Sequence, residues 1–276
     1  MTEGMPLAGN LMRSALFVPG NRPERFAKAL ASGADAIIID FEDAVAEADK
    51  PRARQHLAAF LAQYPQQRVL VRVNAAGHAE HEADLQLCHE LPGIVAVLLP
   101  KAESAAQVEH VYATGKPVWP IIESALGVLA LESIAATSGV ARLTFGALDL
   151  ALDLGFNAHS IGAVNYFDQM RFALLLHSRG NGLATPLDSV YPAFMDDEGL
   201  AAAMFRGRDL GMGGALCIHP RQVAVLHRAM TPSAEEIVRA QRIVDGAACG
   251  MSVFEVDGQM VDAPVMSRAR QILALG

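Results

Sequence analysis

Pro120-Ile-Ile-Glu-Ser-Ala-Leu-Gly127 reads as a buried apolar strand that ends in one carboxylate, Glu123, and turns into a helix. Leu143-Thr-Phe-Gly-Ala-Leu-Asp149 repeats the plan, an apolar run followed by a single acid. Upstream, Arg13-Ser-Ala-Leu-Phe-Val-Pro-Gly20 is a short apolar run closed by Pro-Gly, a strand and then a turn. Ala36-Ile-Ile-Ile-Asp40 is a second buried strand that runs into Phe41-Glu42-Asp43. Arg68-Val-Leu-Val-Arg-Val-Asn74 and Ile94-Val-Ala-Val-Leu-Leu-Pro-Lys101 are the third and fourth. Helical spacing fills residues 23–32, 47–64, 80–91 and 104–113 between them. Downstream, strands at 141–145, 183–190 and 215–220 alternate with helices at 127–137, 160–178, 197–210 and 221–230.

Eight strands alternating with eight helices predict parallel βαβ units and an α/β fold, a (β/α)8 TIM barrel over residues 11–230. A doubly wound open sheet is the other arrangement of such units. No Gly-x-Gly-x-x-Gly follows the first strand, and the acids fall after many different strands; both points favour the barrel. Residues 231–276 read differently. A helix at 233–248 opens with Ser233 and Glu236 in capping-box spacing. Residues 252–262 alternate around Asp257-Gly258, a hairpin signal, and 263–275 form a last helix. This helix-hairpin-helix extension has no place in a closed barrel core. Its hairpin either lies on its own barrel or reaches a neighbouring subunit.

The chain has 276 residues, 52% of them hydrophobic, enough for one large core. The formal charge of −8 argues against bulk nucleic-acid binding. Arg22, Arg25 and Lys28 could serve a local anion or simply form a solvated helix face. No apolar run of roughly 18 residues lacks a charge, Gly or Pro, so no membrane span is expected. Residues 1–10 show no basic-then-apolar leader, and Cys88, Cys217 and Cys249 are odd in number and scattered. Reduced thiols in a cytoplasmic protein are the expectation.

In a barrel, reactive groups sit where strands end at the C-terminal face. Those positions hold Asp40, Glu42, Asp43, Arg72, Asn74, Lys101, Glu123, Asp149, Asp188 and His219, an acidic ring with few cations. Neighbouring carboxylates in a partly desolvated site repel unless a cation or proton intervenes. Mg²⁺ takes one or two carboxylates and keeps positions for waters and substrate oxygens. Glu123 and Asp149, each read as the end of an apolar strand, either hold such an ion, cap the following helices, or pair with Arg72. Arg72 either holds an anion bidentately or forms an ion pair with the acids. Lys101 could form a Schiff base, although the surrounding acids favour its charged form. His219, before Pro220, reads as a structural hydrogen-bonding residue, and Asp153 as serving a helix start.

Eight stretches stand together in this chain: Arg13-Ser-x-Leu-Phe-Val-Pro-Gly20, Asp40-Phe-Glu-Asp-Ala-Val45, Val71-Arg-Val-Asn74, Leu99-Pro-Lys101, Ile122-Glu-Ser-Ala-x-Gly127, Phe145-Gly-Ala-x-Asp149, Ile218-His-Pro220 and Gly258-Gln-Met-Val-Asp-Ala-Pro264. In combination they resemble the citrate lyase beta subunit and malyl-CoA lyase group of the HpcH/HpaI aldolase superfamily. The resemblance implies a TIM barrel assembled as a homotrimer or hexamer. It also implies cleavage or formation of a carbon–carbon bond beside a thioester, with Mg²⁺ or alternatively Mn²⁺. By position it implies Glu123 and Asp149 as metal ligands and Arg72 as the holder of substrate oxygens. Asp40, Glu42 and Asp43 would form the acidic shell around the metal and its waters, Glu42 and Asp43 as catalytic residues, and Asp40 and Lys101 would bind substrate. The amides of Ala125, Leu126 and Gly127 would face the carboxylate of a 2-oxo acid, and Asp262 would be a catalytic acid supplied by an adjacent subunit. The expected partners are a CoA thioester and a 2-oxo acid. The expected reaction is citramalyl-CoA to acetyl-CoA and pyruvate, or malyl-CoA to acetyl-CoA and glyoxylate; a carrier-protein citrate lyase subunit and an acyl-CoA hydrolase are the alternatives. One departure stands out: relatives often read Gly-x-x-Gly-Lys where this chain has Gly211-Met-Gly-Gly-Ala215.

Overall fold

The computed structural model describes residues 12–247 and 253–275. The stretch read for a leader, the third cysteine Cys249, and residues 248 and 252 at the edges of the tail elements lie outside them. The chain forms two compact units, the first ending at Leu226 and the second beginning at His227.

The first unit contains eight parallel strands, β1 (Ser14–Pro19), β2 (Ala36–Asp40), β3 (Val69–Arg72), β4 (Ile94–Leu99), β5 (Val118–Ile122), β6 (Thr144–Phe145), β7 (Leu187–Asp188) and β8 (Gly214–Cys217). They pair in the order β6-β5-β4-β3-β2-β1-β8-β7. A parallel bridge between Arg142 and Ala184, and a hydrogen bond from Leu187 N to Leu143 O of 3.2 Å, join the two ends of that sheet. The result is the expected TIM barrel.

The side-chain alternation of a strand explains its interior. Ala36 and Ile38, Leu70, Ala96 and Leu98, Trp119 and Ile121, Leu187 and Leu216 form one buried cluster. The intervening residues, such as Ile37, Ile39, Val69, Val71 and Val97, are equally buried. Strands covered on both faces are therefore apolar at every position. Each such Val, Leu or Ile side chain contributes about 1.5–3 kcal/mol on burial.

Helices α1 (Phe26–Leu30), α2 (Lys50–Gln63), α3 (His81–Glu90) and α4 (Ala105–Tyr112) follow the first four strands. Single 3-10 turns, at Pro23–Arg25 and Glu47–Asp49, precede α1 and α2, where longer helices were expected. The helix expected at 127–137 is two, α5 (Ala125–Leu129) and α6 (Leu131–Ala136), meeting at Ala130 with ψ near 2°. Between β6 and β7 stand α7 (Ala147–Asp153) and α8 (Ile161–Gly180), where only the second was foreseen. α9 (Asp197–Asp209) leads to β8, and α10 (Pro220–Met230) follows it.

The second unit holds α11 (Ala234–Ala247), the hairpin β9 (Phe254–Val256) and β10 (Gln259–Val261), and α12 (Ala263–Leu275). The capping box forms as read: Glu236 N donates to Ser233 Oγ at 3.1 Å and Ser233 N to Glu236 Oε2 at 2.8 Å. Val256 pairs with Gln259 across a two-residue turn, Asp257 and Gly258 both having positive φ (54° and 75°). Ala240, Ile243, Val261 and Ala269 form the centre of this unit, with Phe254 and Val256 packed on it. Among the described residues, no helix is long and apolar enough to cross a membrane.

Candidate active site

Three strands carry a charged residue on the inward face at or just beyond their C-terminal ends. Asp40 continues the face of Ala36 and Ile38, Arg72 that of Leu70, and Glu123 that of Trp119 and Ile121. Asp40 and Arg72 are direct register partners on β2 and β3. Their side chains form a planar bidentate pair, Nε to Oδ1 at 2.7 Å and Nη2 to Oδ2 at 2.6 Å. Asp40 is itself fixed by backbone N–H groups, from Glu42 to Oδ1 (3.0 Å) and from Ala44 to Oδ2 (3.2 Å). The Arg72 guanidinium lies over the Phe17 ring, 4.8 Å from its centroid. Burial opposes its charge, but Asp40, Glu42 and Asp43 outweigh that and hold its pKa above the ordinary value.

Asp40 occupies two of the five guanidinium N–H groups. Nη1 stands 2.9 Å from Glu42 Oε2 as an ion pair without hydrogen-bond alignment, and Asp43 is farther away at 3.7 Å. Lys101 Nζ donates to the other Glu42 oxygen at 2.8 Å. Burial still pushes the Glu42 pKa up, against the pull of Arg72 and Lys101. For Lys101 the balance goes the other way: burial lowers its pKa, but the hydrogen bond and charge of Glu42 leave it raised. A lysine held in its ammonium form is a poor amine nucleophile, which disfavours the Schiff-base reading.

Lys101 has φ of 47°, a left-handed turn that aims its backbone N–H at Glu123 Oε1, 2.8 Å away. Glu123 is 5% exposed. Its pKa is raised to about 7, chiefly by burial; the Lys101 amide and Arg72 pull it down, while Asp149 and Glu42 push it up.

Asp149 is not at a strand end, as its sequence context implied. β6 stops at Phe145, and Asp149 lies in the first turn of α7. The start of α7 is tied to the next strand, Ala147 N donating to Ser189 Oγ at 2.9 Å. Asp149 thus reaches the neighbourhood of Glu123 from a helix. Neither acid belongs to a cluster of three or more ligating groups among the described residues.

The turn after Glu123 is partly committed to the protein itself. Ser124 caps α5, its Oγ accepting from Gly127 N (3.1 Å) and donating to Glu103 (2.7 Å). Ala125 N donates to Asp153 Oδ2 at 2.7 Å, so Asp153 serves a helix start, though that of α5. Leu126 is 60% exposed.

The remaining strand-end residues go elsewhere. Asp188 is paired with Arg171 (2.8 Å), and His219 stacks on Phe194 while its Nδ1 accepts from Arg221 N at 3.2 Å. Asn74 is fully buried, bonded through its N and Nδ2 to Asp84. Lys50 carries no signal along the chain. It is 3% exposed, and its ammonium donates to Phe41 O (3.0 Å), Glu42 O (3.1 Å) and the Asn74 side chain. It holds the acidic loop after β2 from behind. Arg22, Arg25 and Lys28 are exposed. Asp262, in the second unit, caps α12, its Oδ1 accepting from Val265 N at 3.2 Å.

A barrel with acids and one locked arginine gathered at its strand ends defines the class: a (β/α)8 scaffold with a charged mouth where barrel enzymes place their reactive groups. The profile of the HpcH/HpaI aldolase/citrate lyase family matches residues 13–220, and the chain belongs to this enzyme family. A citrate lyase subunit beta-like protein of Mycobacterium tuberculosis is 37% identical over 263 residues, covering 94% of this chain and 93% of that protein. A (3S)-malyl-CoA thioesterase of Cereibacter sphaeroides is 36% identical over 277 residues, covering 95% and 93%. The crystal structure of protein CitE from M. tuberculosis in complex with magnesium, acetoacetate and coenzyme A superposes with a TM-score of 0.85 at 36% identity, covering 95% of this chain and 97% of that one.

Proposed function

We propose that this protein is a Mg²⁺-dependent acyl-CoA lyase that cleaves a 3-hydroxy-3-carboxyacyl-CoA, with citramalyl-CoA, giving acetyl-CoA and pyruvate, as the leading substrate and malyl-CoA next. The observation that carries the reading is Glu123: a buried carboxylate raised to about 7, with Asp149 adding to the repulsion, is a group in want of a cation. Lys101 N–H takes Oε1, and Gly146 leaves Oε2 free of any side chain on that side. Two carboxylates with no third protein ligand suit an ion that retains water and substrate oxygens, which fits magnesium. Glu123 and Asp149 would hold the ion, which would supply Lewis-acid polarisation of substrate oxygens.

The protein's own residues do the rest. Arg72, clamped by Asp40, presents Nη1 at a fixed angle to a substrate oxygen. Glu42 and Asp43 form the acidic shell beside it, and Lys101 closes that shell. With the Ala125 and Gly127 amides engaged, Leu126 is the amide of that turn assigned to the carboxylate of the 2-oxo acid. Transfer of the hydroxyl proton to the Glu42 carboxylate lets the carbon–carbon bond break, its electron pair passing into a thioester enolate as the 2-oxo acid leaves, and Asp262 then protonates the enolate carbon. We place Asp262 on a neighbouring subunit of a homotrimer or hexamer. We also place the protein in the cytoplasm, where the free, buried thiols of Cys88 and Cys217 would stay reduced.

The malyl-CoA thioesterase relative supports a second reading, hydrolysis of the same thioester. Product analysis of purified protein with Mg²⁺ and citramalyl-CoA separates the two. Acetyl-CoA and pyruvate in equal amounts are expected; free CoA with citramalate would replace the lyase by the hydrolase. The same assay on malyl-CoA and on a citryl-carrier thioester ranks the substrates.

A further inference from the structure

A second group of ligating atoms lies away from the barrel mouth. His81 and Glu82 open α3, and His110 is in the last turn of α4. One ligand atom from each lies within 4.8 Å of the other two, the only such trio among the described residues. His81 is 3% exposed, whereas Glu82 and His110 are exposed and bonded to one another, Nε2 to Oε1 at 2.8 Å.

The buried member shows what the trio is for. His81 Nδ1 lies 2.6 Å from Asn74 O, and a carbonyl only accepts, so this nitrogen carries the proton. In the neutral ring Nε2 then presents a lone pair, and this atom is buried with no hydrogen-bond partner. A buried acceptor without a donor is rare in folded proteins. Asn74 is itself held by Asp84 and Lys50, so the ring has a fixed anchor. An imidazole oriented by a backbone carbonyl, with its other nitrogen free, is the usual arrangement of a metal-bound histidine.

We propose that His81, Glu82 and His110 bind a divalent transition metal of the zinc class, joining the first turn of α3 to α4. Two imidazole nitrogens and one carboxylate oxygen leave a fourth, tetrahedral position for water. Magnesium and calcium prefer oxygen donors, so the site is chemically distinct from the carboxylate pair at the barrel mouth. His81 supplies the rigid ligand. The exposed Glu82 and His110 side chains give up their mutual hydrogen bond and close on the ion.

The test is a Co²⁺ titration of chelator-stripped protein in excess Mg²⁺, followed by visible absorption. One equivalent of Co²⁺ per chain is expected, with the intense bands of a four-coordinate nitrogen–oxygen site, discharged by Zn²⁺. His110→Ala and Glu82→Ala change only exposed side chains, and each should weaken Co²⁺ binding at least about tenfold. Glu123→Gln should leave the bands unchanged. Wild-type affinity in both His110→Ala and Glu82→Ala would overturn the proposal. So would loss of the bands in Glu123→Gln, which would put the ion at the barrel mouth instead.

Discussion

Gly146 runs directly against Glu123: a Cβ at position 146 would lie 2.1 Å from the carboxylate oxygen Oε2. The two segments are also bonded, Gly146 N to Ile122 O at 3.1 Å. This close approach brings the chain that carries Asp149 alongside the end of β5, so the spacing of the proposed metal ligands depends on the absence of one methyl group.

Gly146→Ala should therefore displace the Glu123 carboxylate. Backbone φ at 146 is −101°, which alanine tolerates, so the expected cost is overpacking alone, about 1–3 kcal/mol. Lyase turnover and Mg²⁺ affinity should fall much more than stability does. Wild-type Mg²⁺ affinity in a folded Gly146→Ala protein would show that the contact is irrelevant to the site.

The raised pKa of Glu123 predicts a pH dependence in metal-free protein. The folded value is about 7 against an ordinary 4.5, so burial favours the neutral acid. That contribution is complete below about 4.5 and is lost as pH rises through about 7, a loss of about 3 kcal/mol. In chelator, Tm should drop between pH 5 and pH 8, and Glu123→Gln should flatten the drop. Mg²⁺ should restore stability at pH 8 and little at pH 5, because the ligand must first shed its proton. Parallel Tm profiles for wild type and Glu123→Gln would contradict this account.

Lys50→Met should be among the most damaging single changes behind the site. It removes one buried ammonium and takes a donor from the Phe41 carbonyl and the Asn74 side chain, while the Glu42 carbonyl keeps only the Val45 N–H at 3.1 Å. The expected loss is about 3 kcal/mol or more by urea denaturation. A change under about 1 kcal/mol would mean that water replaces the ammonium without cost.

Asp262→Asn tests the proposed proton donor cleanly, because asparagine caps a helix as well as aspartate does. Turnover should fall steeply while Mg²⁺ and 2-oxo acid binding persist. Mixing inactive Asp262→Asn with inactive Glu123→Ala protomers should regain part of the activity. No recovery after verified subunit exchange would place Asp262 within its own chain's site.

Arg72→Lys keeps the charge but cannot form the planar double hydrogen bond to Asp40. It should reduce kcat more than it raises KM, since the lost element is orientation of a developing charge. A pure KM effect would recast Arg72 as a ground-state anchor.

Much of this was legible along the chain, for local reasons. Ala36-Ile-Ile-Ile-Asp40 is apolar throughout because β2 is covered on both faces, and a polar residue after such a run marks the strand's exit. Asp257-Gly258 specified its hairpin because that turn needs two positive φ angles. Asp149 was misplaced because Gly-Ala-Leu-Asp-Leu-Ala-Leu-Asp is too short and too apolar for its period to separate a strand exit from a helix start. Lys50 was unreadable because its partners include the backbone carbonyls of Phe41 and Glu42, which are the same for every residue type.

The sequence by itself determined the alternation of strands and helices, the barrel, and which strands end in charge, since these follow from side-chain period and turn chemistry within a few residues. Only the tertiary structure decided what those charges do. Asp40 and Arg72 are 32 residues apart, and their pairing arises from the register of β2 on β3. The segment that leads to Asp149 runs against Glu123 at Gly146, a contact made across β5 and β6. The raised pKa of Glu123 needs the burial that only the closed barrel provides, because a carboxylate's charge loses its stabilising hydration where the whole fold excludes water.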